Sequence, residues 1–151
     1  MPSHIEPVRA VDVAAYILER MGEMTAMKLQ KLVYYSHAWS LVWDEAPLIR
    51  EDVQAWANGP VVPELYNAHR GLYSVSAGQI GGNSRALYPD QMETVEAVLA
   101  HYGDKHSQWL SDLTHAEDPW KCARQEAGLP DGARGTVLIS NAAMAEYYSS
   151  L

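Results

Sequence analysis

The sequence predicts a mainly α fold: a single compact helical domain with a small β-hairpin or short antiparallel sheet. Three observations carry this. Apolar residues recur at helical spacing over most of the chain, start and stop residues bracket those runs, and the β-leaning pieces are few and short. The length of 151 residues suits one domain. A chain of this size buries about 70% of its unfolded surface, enough for a self-sufficient core. Hydrophobic residues make up 48% and charged residues 20%, which excludes disorder and collagen-like repeats.

The elements follow in chain order. Val11, Ala14, Leu18 and Met21 keep helical spacing and predict a helix over 9–21, with Gly22 as its C-terminal cap. Thr25 is placed to cap a second helix running to Trp43. Leu29, Leu32, Tyr35, Trp39 and Val42 form one stripe of it. Val33, Tyr34, Ala38 and Leu41 extend the apolar surface round most of the circumference, so this helix is expected at the centre of the fold. Leu48-Ile49 and Val53–Trp56 suggest the two arms of a small hairpin. Asn58-Gly59-Pro60 reads as a turn, and Pro63 as the first residue of a short helix to His69. The stretch from Gly71 to Leu87 has no clear period. Its Gly81-Gly82-Asn83-Ser84 suggests a hairpin tip, and the segment is expected to be mobile or variable. Helical period returns from Pro89, with Met92, Val95, Leu99 and Tyr102 on one face and Gly103 ending the run. Ser107 is expected to cap a short helix bearing Leu110 and Leu113. Asp118-Pro119 is a sharper start signal, a carboxylate cap before a first-turn proline. Gly128-Leu129-Pro130 stops that helix, Thr136 to Ile139 is β-like, and Ser140 or Asn141 caps a last helix ending near Tyr148.

Lys and Arg number 11 against 19 Asp and Glu, a net charge of −8. That charge argues against a generic nucleic-acid surface and favours basic partners. Cys122 is the single cysteine, so no internal disulfide forms. The uncharged run from Leu32 to Trp43 falls short of the roughly 18 apolar residues of a membrane-spanning helix. Met1 to Arg20 does not read as a signal peptide. A reducing cytoplasm is the expected setting.

Candidate chemistry is sparse. The six histidines, His4, His37, His69, His101, His106 and His115, show no metal-ligand spacing and are expected to be exposed or singly hydrogen-bonded. No cofactor or metal motif stands out, and Gly78-x-x-Gly81-Gly82 lacks the Lys-Ser/Thr of a phosphate loop. Lys28 and Lys31 share a helical face. They are expected on a solvated edge, their stems covering the aromatic core. The five tryptophans are expected mostly in the core, with Trp43 the best interface candidate. Asp118 is expected to act as a cap and His115 to close the preceding helix at its dipole end. An enzymatic alternative would use His115, Asp118 or Cys122.

Four blocks occur in an order that resembles a known family. Met27-Lys28-Leu29-Gln30-Lys31-Leu32-Val33-Tyr34-Tyr35 with Ala38-Trp39 is followed by Pro47-Leu48 and Ala55-Trp56-Ala57-Asn58-Gly59-Pro60-Val61-Val62-Pro63. Then come Thr114-His115 to Pro119-Trp120, and Ile139-Ser140 to Tyr147-Tyr148. Together they resemble the Panacea domain of SocA-like antitoxins and phage-associated GepA-like proteins. The resemblance gives Lys28, Gln30, Lys31, Tyr35, Trp39, Trp56, Gly59, Pro60, Pro63, His115, Asp118, Pro119 and Trp120 as structural motif positions. It implies an antitoxin that neutralises a cognate protein toxin, encoded next door, by direct binding; its SocA-like branch also implies delivery of the toxin to a protease as an adaptor. Trp43, Arg70, Tyr73 and Arg85 are the expected partner-binding residues, with membrane and nucleic acid not expected as partners. The Gly71–Leu87 stretch matches no block.

Overall fold

The computed structural model describes residues 5–151. Along them run α1 (Ala10–Met21), β1 (Met24–Thr25), α2 (Ala26–Trp43), β2 (Val53–Trp56), β3 (Gly59–Val61) and α3 (Pro63–His69). There follow β4 (Ser74–Val75), α4 (Pro89–Tyr102), α5 (Ser107–Ala116), α6 (Asp118–Glu126), β5 (Leu138–Ile139) and α7 (Asn141–Ser149). The fold is mainly α, with two small antiparallel sheets, β1–β4 and β3–β2–β5.

The predicted central helix is central. Thr25 Oγ1 accepts the Lys28 backbone N–H at 3.1 Å and starts α2. Every residue from Leu29 to Ala38 is buried, because α1, α3, α4, α5 and α7 all pack against α2. A helix covered on so many sides needs no polar face, which is why its apolar residues are not confined to one stripe. Trp39 is only half-buried at the rim, where its indole N–H donates to the Tyr102 hydroxyl at 3.1 Å.

Several local expectations are corrected. The hairpin pairs β2 with β3, Trp56 opposite Gly59, so Ala57-Asn58 is the tip and Gly59-Pro60 lies in the strand. Leu48-Ile49 is no hairpin arm. Its backbone N–H groups donate to His37 Nδ1, both at 3.3 Å, and Ile49 bridges Val8 in parallel; a histidine on α2 claims the donors a hairpin would have used. The 81–84 stretch is no hairpin tip either, since this segment pairs through Ser74-Val75 with Met24-Thr25. Past that pair the chain lies on α1. Ile80 and Leu87 are buried, and the Asn83 N–H donates to Asp12 Oδ1 at 2.8 Å. Gly82, at φ +82°, passes so close that a Cβ there would sit 2.2 Å from the Val11 carbonyl oxygen.

Two caps differ by one residue. His106, not Ser107, caps α5, its Nδ1 accepting the Trp109 N–H; the Ser107 hydroxyl instead bonds that of Thr25. Glu117, not Asp118, occupies the N-cap of α6, and no side-chain cap bond forms there. Ser140 caps α7 as expected.

The aromatic core is tyrosine rather than tryptophan. Tyr34, Tyr35, Tyr102 and Tyr148 are buried, with Tyr35 stacked on Tyr102 at 4.2 Å. Trp120 is buried, Trp39 and Trp56 are partly exposed, and Trp43 and Trp109 are exposed. A phenol buries a ring at the cost of one hydroxyl, and here the hydroxyls have an acceptor close by.

Candidate protein-interaction site

Gln30, Lys31, Trp56, Gly59, Pro60 and Trp120 of the motif positions meet where α2 faces the hairpin, while Trp39, Lys28 and Asp118 lie elsewhere. Gln30 is buried and clamps the residue that starts α3: the Val62 N–H donates to its Oε1 at 3.0 Å, and its Nε2 donates to the Val62 carbonyl at 3.3 Å. The same amide meets His69 Nε2 at 3.1 Å. Lys31, one residue on, is 2% exposed, which overturns the solvated edge expected for it. Its ammonium donates to the Pro60 carbonyl at 3.4 Å, and burial pulls its pKa down to about 8. Lys28 is also tied down, donating to the Gly103 carbonyl at 2.6 Å. Burial likewise depresses His37 and His69; both are buried, not exposed.

A second layer braces the hairpin from behind. The Trp120 indole donates to the Trp56 carbonyl at 2.7 Å, and His115 stacks on Trp120 at 4.1 Å. Arg124 is 3% exposed and donates to the carbonyls of Ala55, Pro130 and Ala133. At the α5–α6 junction Glu117 Oε1 accepts from both Tyr35 and Tyr148, each at 2.7 Å. Burial, partly offset by those two hydrogen bonds, holds the Glu117 carboxyl above its usual range. Sequence reasoning missed Glu117 and Arg124. The only signal for Glu117 is a carboxylate inside the Thr-His-x-x-x-Pro-Trp block, and it was overshadowed by Asp118.

Three grooves among the described residues differ in character. The first, about 820 Å³, lies between the N-terminal half of α2, the end of α3, residues 71–73, the hairpin tip and residues 134–136. Lys31, His69, Arg70 and Arg134 line it, and no Asp or Glu does. The second, about 660 Å³, runs between α6, β5 and α7, and is lined by Asp118, Glu126 and Glu146 beside Cys122. The third, about 340 Å³, holds Trp43 with Asp44, Asp90 and Glu93. All the acids that line these grooves therefore lie at the second and third.

The expected partner-binding residues are dispersed among these places. Arg70 and Tyr73 share the first groove, with Tyr73 83% exposed. Trp43 is half-exposed at the third and stacks on Trp39 at 4.9 Å. Arg85 is exposed but lines none of the three. The enzymatic trio is not assembled as a hydrogen-bonded set. His115 lies against Trp120, Asp118 pairs with Lys121 at 3.7 Å, and Asp118 and Cys122 face the second groove without His115. Asp118 has no cap bond to make, so its expected role as cap is also corrected. Among the described residues no His, Cys, Asp and Glu cluster is arranged to hold a metal, and no helix is long and apolar enough to cross a membrane. His4 lies outside the described residues.

Comparison with known proteins matches residues 29–121 to the family described as antitoxin SocA-like, Panacea domain. The chain is also similar to Antitoxin SocA of Caulobacter vibrioides (strain NA1000 / CB15N). The two are 28% identical over 139 residues, covering 80% of this chain and 74% of that protein. No solved structure matches.

Proposed function

This chain belongs to the SocA-like antitoxin family of Panacea domains, and on that premise we propose that it neutralises a cognate protein toxin by binding it directly. The observation that carries this is the extent of the family match. Residues 29–121 include nearly all of α2, both hairpin strands, α3, α4, α5 and the start of α6. Among these, α2, the hairpin and α3 supply most of the lining of the cationic groove and the polar clamps beside it. Groups held this rigidly suit recognition, since little side-chain freedom is lost on binding. Trp43, Arg70, Tyr73 and Arg85 are exposed groups of the kinds enriched at interfaces, aromatic and Arg side chains.

The test is a titration of toxin activity with purified protein, using the product of the neighbouring reading frame. Direct neutralisation predicts that protection tracks the ratio of the two proteins and that a complex of fixed stoichiometry is recovered. Full protection at a small fraction of that ratio, with a chemically altered toxin and no complex, would replace it with catalysis by His115, Asp118 or Cys122. Protection that appears only with an active protease present would replace it with the adaptor role.

A further inference from the structure

Resting on that reading, we propose that the toxin docks in the groove between α2, α3 and residues 134–136. Its occupant is an extended toxin segment that presents a carboxylate beside a bulky apolar side chain.

Charge complementarity selects the carboxylate. The chain carries −8 overall, yet Lys31, Arg70 and Arg134 converge on a groove lined by no acid. Among the described residues, no carboxylate forms an ion pair with any of the three. The first turn of α2 borders the groove through Ala26 and Met27, so the positive end of an 18-residue helix lies nearby, its Ala26 and Lys28 N–H groups already bonded to the Tyr73 carbonyl and Thr25 Oγ1. Lys31 is the most telling of these groups. It is almost fully buried, it lines the groove, and the Pro60 carbonyl at 3.4 Å is a weak return for a desolvated ammonium. An incoming carboxylate supplies the missing partner.

The walls select the apolar neighbour. Trp56 meets Tyr66 edge-on at 5.0 Å, and Tyr66 meets His69 at 5.4 Å. Met27, Leu72 and Tyr73 also line the groove and are exposed, which leaves apolar surface beside the cations. A space of about 820 Å³ takes several side chains rather than one. A protein segment fits better than a nucleic acid. A long polyanion would feel the net charge of −8, whereas one or two carboxylates seated in the groove answer mainly to the nearby cations.

The experiment measures binding of the full-length product of the neighbouring reading frame, tested as the toxin, to three proteins: the wild type, Arg70→Glu/Arg134→Glu, and Glu126→Lys/Glu146→Lys in the acidic α6–α7 groove. All four positions are exposed, and unchanged melting curves confirm intact folds. The expected result is a loss of about 100-fold or more in the arginine reversal and little change in the glutamate reversal. Tyr73→Ala should weaken binding by about tenfold without altering the charge. Exchange of the contacting toxin acid for lysine should restore binding to the arginine reversal. Tight binding by both reversals would overturn the groove assignment while leaving direct neutralisation standing. Absence of any wild-type complex would overturn both. Binding of a single-stranded RNA decamer by the wild type, lost in the arginine reversal while toxin binding persists, would make the occupant a nucleic acid and overturn the proposal.

Discussion

The Tyr35 hydroxyl donates to Glu117 Oε1 at 2.7 Å, joining the middle of α2 to the break between α5 and α6. Tyr148 of α7 donates to the same oxygen, so one carboxylate ties three parts of the fold together. That carboxylate is buried, and burial raises its pKa above the unfolded value despite the two donors. A raised carboxyl contributes stability that is complete below the ordinary carboxylate range and is lost as pH rises through the folded value. Glu117→Gln keeps the shape and the acceptor oxygen but does not titrate. Wild type and Glu117→Gln should therefore differ least at the acid end, where the buried carboxyl is neutral like the amide, and the wild type should fall relative to Glu117→Gln as pH rises above the ordinary carboxylate range, from about 4 to about 8. Melting curves of both proteins across that range check it, and a difference independent of pH would contradict it. Glu117→Ala should cost about 1–3 kcal/mol through the orphaned Tyr35 hydroxyl alone.

Why Glu117 escaped the sequence while α2 did not is a matter of range. The course of α2 is written in local signals: a threonine that caps, an 18-residue run without glycine or proline, and apolar residues on nearly every side. The role of Glu117 depends on Tyr35 and Tyr148, 82 and 31 residues away, and no local pattern encodes such a meeting. The one-residue error at Asp118 has the same origin. Asp-Pro was a sound start signal, but the helix began with Asp118 and left it pairing loosely with Lys121 at the surface. The hairpin was legible in kind but not in register, because His37 withdraws Leu48-Ile49 from pairing. Within the groove, Arg70 and Tyr73 were legible as exposed polar and aromatic residues. Lys31 was not, since a lysine on a helix ordinarily keeps its charge in water.

Gly59 and Lys31 should be energetically coupled. Gly59 sits at φ +122°, and a Cβ added there would lie 2.7 Å from Lys31 Cε and 3.2 Å from Thr114 Oγ1. The far end of Lys31 would have to shift to admit that methyl. Gly59→Ala should therefore cost about 1–3 kcal/mol in backbone strain, with crowding added. Lys31→Ala removes the crowding atoms but leaves the φ strain. In a double-mutant cycle read by chemical denaturation, the double variant should be more stable than the sum of the single losses predicts, by about 0.5–3 kcal/mol. Strict additivity would show that the hairpin moves away from α2 to admit the methyl.

Arg124 should behave as a residue that lysine cannot replace. Its guanidinium lies 5.3 Å over the Trp120 ring and spreads its donors over three carbonyls: Ala55 in β2 at 2.9 Å, Pro130 at 3.2 Å and Ala133 at 2.5 Å. A planar fork can reach in these directions at once; an ammonium on a single stem cannot, and it also loses the flat face that meets Trp120. Each lost bond to the charged group is worth about 1.5–3 kcal/mol, so Arg124→Lys should lose about 3 kcal/mol or more. That is a large share of a total near 5–15 kcal/mol. The loss should not stay in the core. Pro130 and Ala133 lead directly to Arg134, Gly135 and Thr136, the wall of the cationic groove. Releasing them should loosen that wall before the rest of the fold melts. Arg124→Lys is accordingly expected to resemble Arg124→Ala in melting temperature, to be cleaved faster by trypsin after Arg134, and to bind the toxin more weakly at temperatures where it remains folded. If Arg124→Lys melts and binds like the wild type, the three carbonyl bonds do not hold the groove in place.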